Sequence, residues 1–211
     1  MNRSLVATAM VALSIAAAQP AAAQVQAVTP AVAKAVTAAP GTGLAGAAQG
    51  DVIVVEYLDY NCPYCRKMHA EIQGLLKADP KARVLYKQWP VFGPVSTYAA
   101  RTVLAATWQG KDLAAHDALI TSPSRLDSQE TVRRRLAAAG VDLASLDRDL
   151  TAHKAEIDAL LARSEEEAQL LGLRGTPALV IGSTLVPGGL PSAMLQRLVA
   201  QERNESQAPS R

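Results

Sequence analysis

Residues 52–65, VIVVEYLDYNCPYC, join an apolar, β-branched run to two cysteines that flank a proline and a tyrosine. The nearly continuous apolar character of Val52–Tyr57 predicts a strand that is buried on both faces of a sheet. Pro63 stands where helices tolerate proline, in the first turn, so a helix is expected over residues 63–76. The first cysteine of the stretch is then expected at the N-terminus of that helix.

A second strand is expected soon after the helix. Proline cannot continue a helix, so Pro80 ends this one, and residues 83–89 then alternate in the way that is typical of a strand. Strand, helix and strand within about 40 residues make a βαβ unit. We expect the folded domain to begin near Asp51.

The rest of the chain predicts a helical block followed by a small ββα unit, within a domain that covers residues 51–204. The block spans about residues 94–172, and a capping box at Asp127–Glu130 opens one of its helices. Two short strands at 178–181 and 184–186 flank the turn Gly182-Ser183. A closing helix over 192–201 and a polar tail at 205–211 complete the chain. The fold class predicted is α/β.

The first 23 residues have the pattern of an export signal. Arg3 supplies a charge, Leu5–Ala18 is apolar, and small residues precede a cleavage site expected between Ala23 and Gln24. The apolar run is shorter than a membrane-spanning helix requires. We therefore expect export and cleavage, and a mature protein in a compartment where disulfides persist.

Residues 24–50 are rich in alanine, valine and glycine and have almost no charge. They are expected to form a flexible linker with one short helix near Pro30–Thr37. The alternative is an N-terminal arm for oligomerisation, because Val28, Val32 and Val36 recur at helical spacing.

Composition narrows the possible functions. The chain has 211 residues, 49% of them hydrophobic, which is enough for a real core. The net charge of +2 gives no indication of a nucleic-acid partner. Ser96 and Ser124 have no histidine or acid at a recognisable spacing, so a hydrolase has no support.

The two cysteines favour redox chemistry over a structural role. A disulfide that closes so short a loop stabilises a fold little. At a helix N-terminus, unpaired N–H groups and the helix dipole lower the pKa of Cys62, and the thiolate is the nucleophile. Cys65, one turn deeper, can attack a mixed disulfide at Cys62 and release the partner.

A copper or zinc site is the alternative function. Cys62, Cys65 and His69 fall at i, i+3 and i+7 of the expected helix, and thiolate and imidazole ligands suit Zn or Cu(I). Only His116 and His153 remain as further histidine ligands, and neither stands at a spacing that is typical of zinc sites. A c-type haem is excluded because Arg66, not histidine, follows the second cysteine. We therefore assign no dedicated metal site.

The stretch EYLDYNCPYC, the βαβ unit, the helical block and the later Gly175-Thr176-Pro177 together resemble the DsbA-like thiol–disulfide oxidoreductases of bacterial cell envelopes. The resemblance covers about residues 51–204, and within the family it is strongest to the branch that includes ScsC. It implies a thioredoxin fold with an inserted helical domain and a periplasmic location. It also implies cysteine-containing envelope proteins and a membrane redox partner as partners, and no cofactor beyond the Cys62–Cys65 disulfide.

The resemblance assigns roles to individual residues. Cys62, Pro63, Tyr64 and Cys65 match the active-site motif of the family, and Glu56 matches its buried acid near the second cysteine. A glutamate within an apolar strand is expected to be partly buried, with a raised pKa suited to moving the Cys65 proton.

Thr176-Pro177 matches the family's cis-proline loop, which lies against the active disulfide. Its backbone is expected to bind an extended substrate chain beside Cys62. Tyr64 and Thr176 both differ from the residues of the family's strong oxidase and look more like reductase or isomerase members. The direction of electron flow and the oligomeric state therefore stay open at this stage.

Overall fold

The centre of the molecule is the βαβ unit around the two cysteines. The computed structural model describes residues 25–38 and 41–207. Strand β3 (Val52–Leu58) runs parallel to β4 (Ala82–Gln88), and helix α2 (Pro63–Ala78) connects them. The expected order of these elements is confirmed, and α2 begins at the proline that follows the first cysteine.

A C-terminal hairpin completes the middle of the sheet. Strands β5 (Ala178–Ile181) and β6 (Thr184–Pro187) are antiparallel, and β5 pairs with β3. The turn between them requires glycine, because Gly182 has a φ of 52°.

The closing helix α8 (Ser192–Gln207) packs on α2 and continues into the segment that was expected to be a polar tail. Beyond the expected end of this helix, Arg203 forms ion pairs with Asp51 at 2.8 Å and Asp79 at 2.9 Å. The tail prediction is therefore wrong for residues 205–207, and residues 208–211 lie outside the described part of the chain.

Within the described residues, 25–38 and 41–50 are part of the folded domain, which corrects the prediction of a flexible linker there. The short helix expected near Pro30–Thr37 is confirmed, and the oligomerisation arm stays a prediction. Strand β1 (Gln26–Ala27) pairs with β6, and β2 (Thr42–Gly46) pairs with β4. Helix α1 (Pro30–Ala38) lies between them and buries Val36. Short strands of small residues have weak propensity of their own, so their pairing partners determine them.

The complete sheet has six strands in the order β1-β6-β5-β3-β4-β2. Alternate residues of β3 contribute to hydrophobic clusters on opposite sides of it: Val54 and Leu58 belong to one, Val55 and Tyr57 to the other. The first cluster includes both cysteines and residues of α2 and α8. Val36 of α1 belongs to the second.

The helical block is inserted between β4 and β5. Its helices are α3 (Pro94–Ala105), a 3₁₀ turn (Ala106–Gln109), α4 (Asp112–Ile120), α5 (Gln129–Ala138), α6 (Leu143–Ala152) and α7 (Lys154–Leu170). Ser128 caps α5 by accepting from the Thr131 N–H at 3.1 Å, so the cap lies one residue later than the expected capping box begins. The predicted α/β fold with an inserted helical domain is confirmed.

None of the described helices has the length and apolar character that crossing a bilayer requires. The export signal expected over residues 1–23 lies outside the described residues.

Candidate active site

Cys62 occupies the N-cap position of α2, with Pro63 as the first helical residue. Its φ of −77° and ψ of 118° are extended, so the chain enters the helix from the turn that follows β3 at this residue. The Cys62 thiol donates to the Thr176 carbonyl oxygen, with Sγ and O 3.1 Å apart. The structure thus brings together two segments that are far apart in sequence.

The pKa of Cys62 is lowered to about 6. The largest cause is the Cys65 thiol, which donates to the thiolate, and the Thr176 hydroxyl and the backbone N–H groups of Tyr64 and Cys65 add to it, while burial opposes them. The Thr176 Oγ1 is buried and has no hydrogen-bond partner within the described chain, so this hydroxyl is available as a donor to the Cys62 thiolate. At neutral pH Cys62 is therefore mostly a thiolate.

Cys65 has the opposite character. It is fully buried, and burial raises its pKa, with the Cys62 sulfur and Glu56 as further causes. The pair is consequently asymmetric: one sulfur is ionised at neutral pH, and the other keeps its proton unless a base takes it.

Glu56 is a buried carboxyl in the middle of the sheet. It lies on β3 opposite Tyr86 of β4 and Leu179 of β5, and only 2% of it is exposed. Burial first, and the Cys62 charge second, raise its pKa to about 8. Its Oε1 has no hydrogen-bond partner among the described residues. A carboxyl with this pKa can hold or release a proton near neutral pH.

The Thr176–Pro177 peptide bond is cis, as the resemblance implied. Beside it lies a groove of about 500 Å³ whose lining includes Tyr64, Lys67, Glu71, Pro177 and Leu190. Tyr64 is 65% exposed, and the Lys67 Nζ lies 5.6 Å from the centre of its ring. The groove therefore offers an aromatic ring and a charge of each sign beside the cis-proline loop that contacts Cys62.

Asp59 is a site residue whose role the sequence analysis missed. Its Oδ1 accepts from the Asn61 N–H at 2.7 Å and from the Ser96 hydroxyl at 2.8 Å. Its Oδ2 accepts from the backbone N–H groups of Val91 at 2.7 Å and Phe92 at 2.9 Å. This carboxylate fixes the turn before Cys62, and the Asp-x-Asn spacing is a sequence signal from which such a turn can be predicted.

The structure corrects the metal alternative. His69 does not join Cys62 and Cys65 in a group of metal ligands, because within residues 25–38 and 41–207 the one group of three ligand side chains is His69, His116 and Asp117. A helical spacing of i, i+3 and i+7 places residues on one broad face, but it does not make their side chains converge. Cysteine-based metal binding with His69 is therefore not supported.

The chain is similar to known thioredoxin-like proteins in sequence and structure. A model of the DSBA-like thioredoxin domain matches residues 53–200. A thioredoxin-like oxidoreductase from Silicibacter pomeroyi is 42% identical, covers 81% of this chain and 97% of its own, and superposes with a TM-score of 0.76.

Two further structures are similar. The thiol-disulfide exchange protein alpha-DsbA2 of Wolbachia pipientis is 25% identical, with a TM-score of 0.70 over 75% of this chain and 85% of its own. The catalytic domain of Proteus mirabilis ScsC is 26% identical, with a TM-score of 0.69 over 80% of this chain and 93% of its own.

The curated relatives that the chain matches are much longer proteins. One is the Na⁺/H⁺ antiporter NhaA 1 of Mycolicibacterium vanbaalenii, 27% identical over 72% of this chain, of which the chain spans only 25%. That name describes the longer protein. The family model matches well over half of the chain, so the predicted family is confirmed: the chain belongs to the DsbA-like thioredoxin domain family.

Proposed function

We propose that the chain is a periplasmic thiol–disulfide oxidoreductase that acts on cysteine-containing envelope proteins and exchanges electrons with a membrane redox partner. Family membership and the similarity to a thiol-disulfide exchange protein support this activity. The observation that carries the proposal is the placement of the Cys62 sulfur, with its low pKa, against the cis Thr176–Pro177 loop. The cysteine pair itself is the only redox group that the reaction requires.

In the first step, a substrate thiolate attacks Sγ of Cys62 in the Cys62–Cys65 disulfide. A mixed disulfide forms, and Cys65 leaves as a thiolate that takes a proton from Glu56. A buried thiolate beside a second acid is unfavourable, so a neutral carboxyl at this place assists the departure of Cys65.

In the second step, another substrate thiolate attacks the substrate sulfur of the mixed disulfide. Cys62 leaves as a thiolate, which is a good leaving group because its pKa is about 6. The substrate has then lost two electrons and gained a disulfide, and the cysteine pair has gained both electrons. The membrane partner restores the pair by accepting these electrons.

The groove beside Cys62 is the place where we expect the substrate chain to lie. An extended peptide can pair with the backbone at Thr176. Its side chains can then contact Tyr64, Lys67 and Glu71, which line the groove. Backbone pairing accepts many sequences, which suits an enzyme that acts on a range of unfolded or partly folded partners.

We infer that the pair donates disulfides. Whatever stabilises the Cys62 thiolate stabilises the reduced form of the pair, and a stabilised reduced form makes the disulfide a stronger oxidant. Equilibration with glutathione measures this directly. We expect a reduction potential nearer to about −120 mV than to about −270 mV; a value at the lower end would assign the reducing direction instead.

Cysteine variants test the activity itself. Cys62→Ala is expected to abolish both the oxidation of a reduced peptide and the reduction of insulin, while Cys65→Ser is expected to trap mixed disulfides at Cys62. Activity retained by Cys62→Ala contradicts the proposal. Mass spectrometry of the chain from the periplasmic fraction tests its location, with an N-terminus at Gln24 as the expected result and an uncleaved, cytoplasmic chain as the opposite one.

A further inference from the structure

Three side chains outside the cysteine site converge where the helical insertion meets the core. His69 lies on α2, and His116 and Asp117 lie on α4. One potential ligand atom from each lies within 4.8 Å of the other two. The His69 Nε2 and the Asp117 Oδ1 are 3.9 Å apart, and the two imidazole ring centres are 5.5 Å apart.

Both histidines have a ring nitrogen without a partner. His116 is 1% exposed, and its Nε2 has no hydrogen-bond partner in the described chain. The buried Nδ1 of His69 also lacks a partner, whereas its Nε2 is the nitrogen that lies 3.9 Å from the Asp117 Oδ1. Most buried polar atoms in folded proteins have a partner, and an ion that completes the group is one explanation for an exception. The thiol–disulfide steps above use neither nitrogen.

The orientation of His116 is fixed before any ion arrives. Its Nδ1 lies 3.2 Å from the Tyr60 hydroxyl, which also accepts from the Gln88 side-chain amide at 3.0 Å. Its ring stacks on Tyr86 with centres 3.9 Å apart. A contact at one ring nitrogen leaves the other available, as in metal sites where an outer partner holds the ligand.

We propose that His69, His116 and Asp117 bind one divalent transition-metal cation of the Zn²⁺ class, with water as the remaining ligand. Two imidazoles and one carboxylate suit this class, and three protein ligands plus water are a common zinc arrangement. Zn–N and Zn–O bonds of about 2.0–2.2 Å need ligand atoms somewhat closer together than here. The Asp117 side chain is 58% exposed and has the freedom to close that gap.

Such an ion links two parts of the fold. Helix α2 carries the cysteine pair at its start, and α4 belongs to the inserted helical domain. The bound cation therefore ties the insertion to the helix on which Cys62 and Cys65 lie, and it stabilises the folded state by mass action.

Calorimetric titration of the chain with ZnCl₂ tests the proposal. The background is a Cys62→Ser/Cys65→Ser double variant without a polyhistidine tag, so that neither thiolates nor the tag bind zinc. We expect one equivalent to bind, with affinity reduced by at least about 10-fold in His69→Gln and in Asp117→Asn. His153→Gln is the matched control, since it removes the one histidine outside the cluster and is expected to change nothing.

A cobalt titration separates this site from unspecific binding, because Co²⁺ in an imidazole and carboxylate site gives visible absorption bands. We expect these bands in the double variant and in His153→Gln, and their loss in His69→Gln. His116→Gln is a further test, but His116 is buried and its replacement can disturb the fold. The result therefore depends on His69→Gln and Asp117→Asn. Absence of zinc binding in the double variant, or binding that His69→Gln and Asp117→Asn leave unchanged, overturns the proposal.

Discussion

The hydrogen bond from Cys65 is the largest cause of the low Cys62 pKa, and replacing Cys65 in two ways isolates its effect. Cys65→Ala removes the donor, whereas Cys65→Ser keeps a hydroxyl in its place. A hydrogen bond to a charged group contributes about 1.5–3 kcal/mol, and about 1.4 kcal/mol corresponds to one pKa unit. We therefore expect the Cys62 pKa to rise by about 1–2 units in Cys65→Ala and to stay near that of the wild type in Cys65→Ser.

The assay is the rate of iodoacetamide alkylation of the reduced protein as a function of pH. With a pKa of about 6, Cys62 in the wild type is about nine-tenths ionised at pH 7, so its rate should already be near the plateau. Cys65 does not interfere in the wild type, because burial raises its pKa. The same titration midpoint in both Cys65 variants would refute the reasoning and would leave the helix N-terminus as the main cause.

Three further predictions concern the acids and the loop around the pair. Glu56→Gln should slow the release of mixed disulfides that depends on the Cys65 proton, as followed by rapid-quench gels, and it should raise the unfolding temperature of the disulfide form at pH 8. Thr176→Val should raise the Cys62 pKa in the alkylation assay, because the thiolate loses a hydroxyl donor while the side-chain shape is kept. Asp59→Asn should lower the free energy of unfolding by about 2–4 kcal/mol in urea, because a buried carboxylate accepts four hydrogen bonds.

The sign of the Glu56 effect follows from linkage. Its pKa is raised from 4.5 to about 8. Between these two values the unfolded chain has lost the proton and the folded chain retains it, so stability falls as the pH rises. The amide that replaces the carboxyl in Glu56→Gln does not titrate, so the advantage of this variant should be present at pH 8 and disappear near pH 4.5.

A specific result would contradict each of the predictions for Glu56, Thr176 and Asp59. Equal pH dependence of unfolding in the wild type and Glu56→Gln would show that the carboxyl ionises normally in the fold. An unmoved alkylation midpoint in Thr176→Val would assign the loop's effect to its backbone alone. A loss in Asp59→Asn no larger than in Asp127→Asn, which changes an exposed aspartate, would show that the turn does not depend on the Asp59 charge.

Local signals in the sequence were sufficient to predict the elements at the centre of the fold. The β-branched run of β3, the proline at the start of α2 and the glycine of the last hairpin each act within a few residues, so their structural meaning survives without knowledge of the partner elements. The same holds for Cys62, whose place at a helix N-terminus follows from Pro63 alone.

Tertiary partners determined the parts that could not be predicted. Strands β1 and β2 are short, and they form by pairing with the edges of β6 and β4. The cluster of His69 and His116 joins residues from α2 and α4, and no spacing in the sequence indicates it. A helical pattern fixes a face, whereas the contact between two faces depends on how the helices pack.

The pairing of β1 with β6 has a consequence for how the protein is made. Gln26 pairs with Leu185, so β1 cannot join the sheet until β6 has been synthesised. Synthesis runs from the N-terminus, and Cys62 and Cys65 therefore leave the ribosome long before Thr176 and Pro177 exist. A nascent chain therefore carries both thiols before the cis-proline loop that later lies against Cys62 has been made.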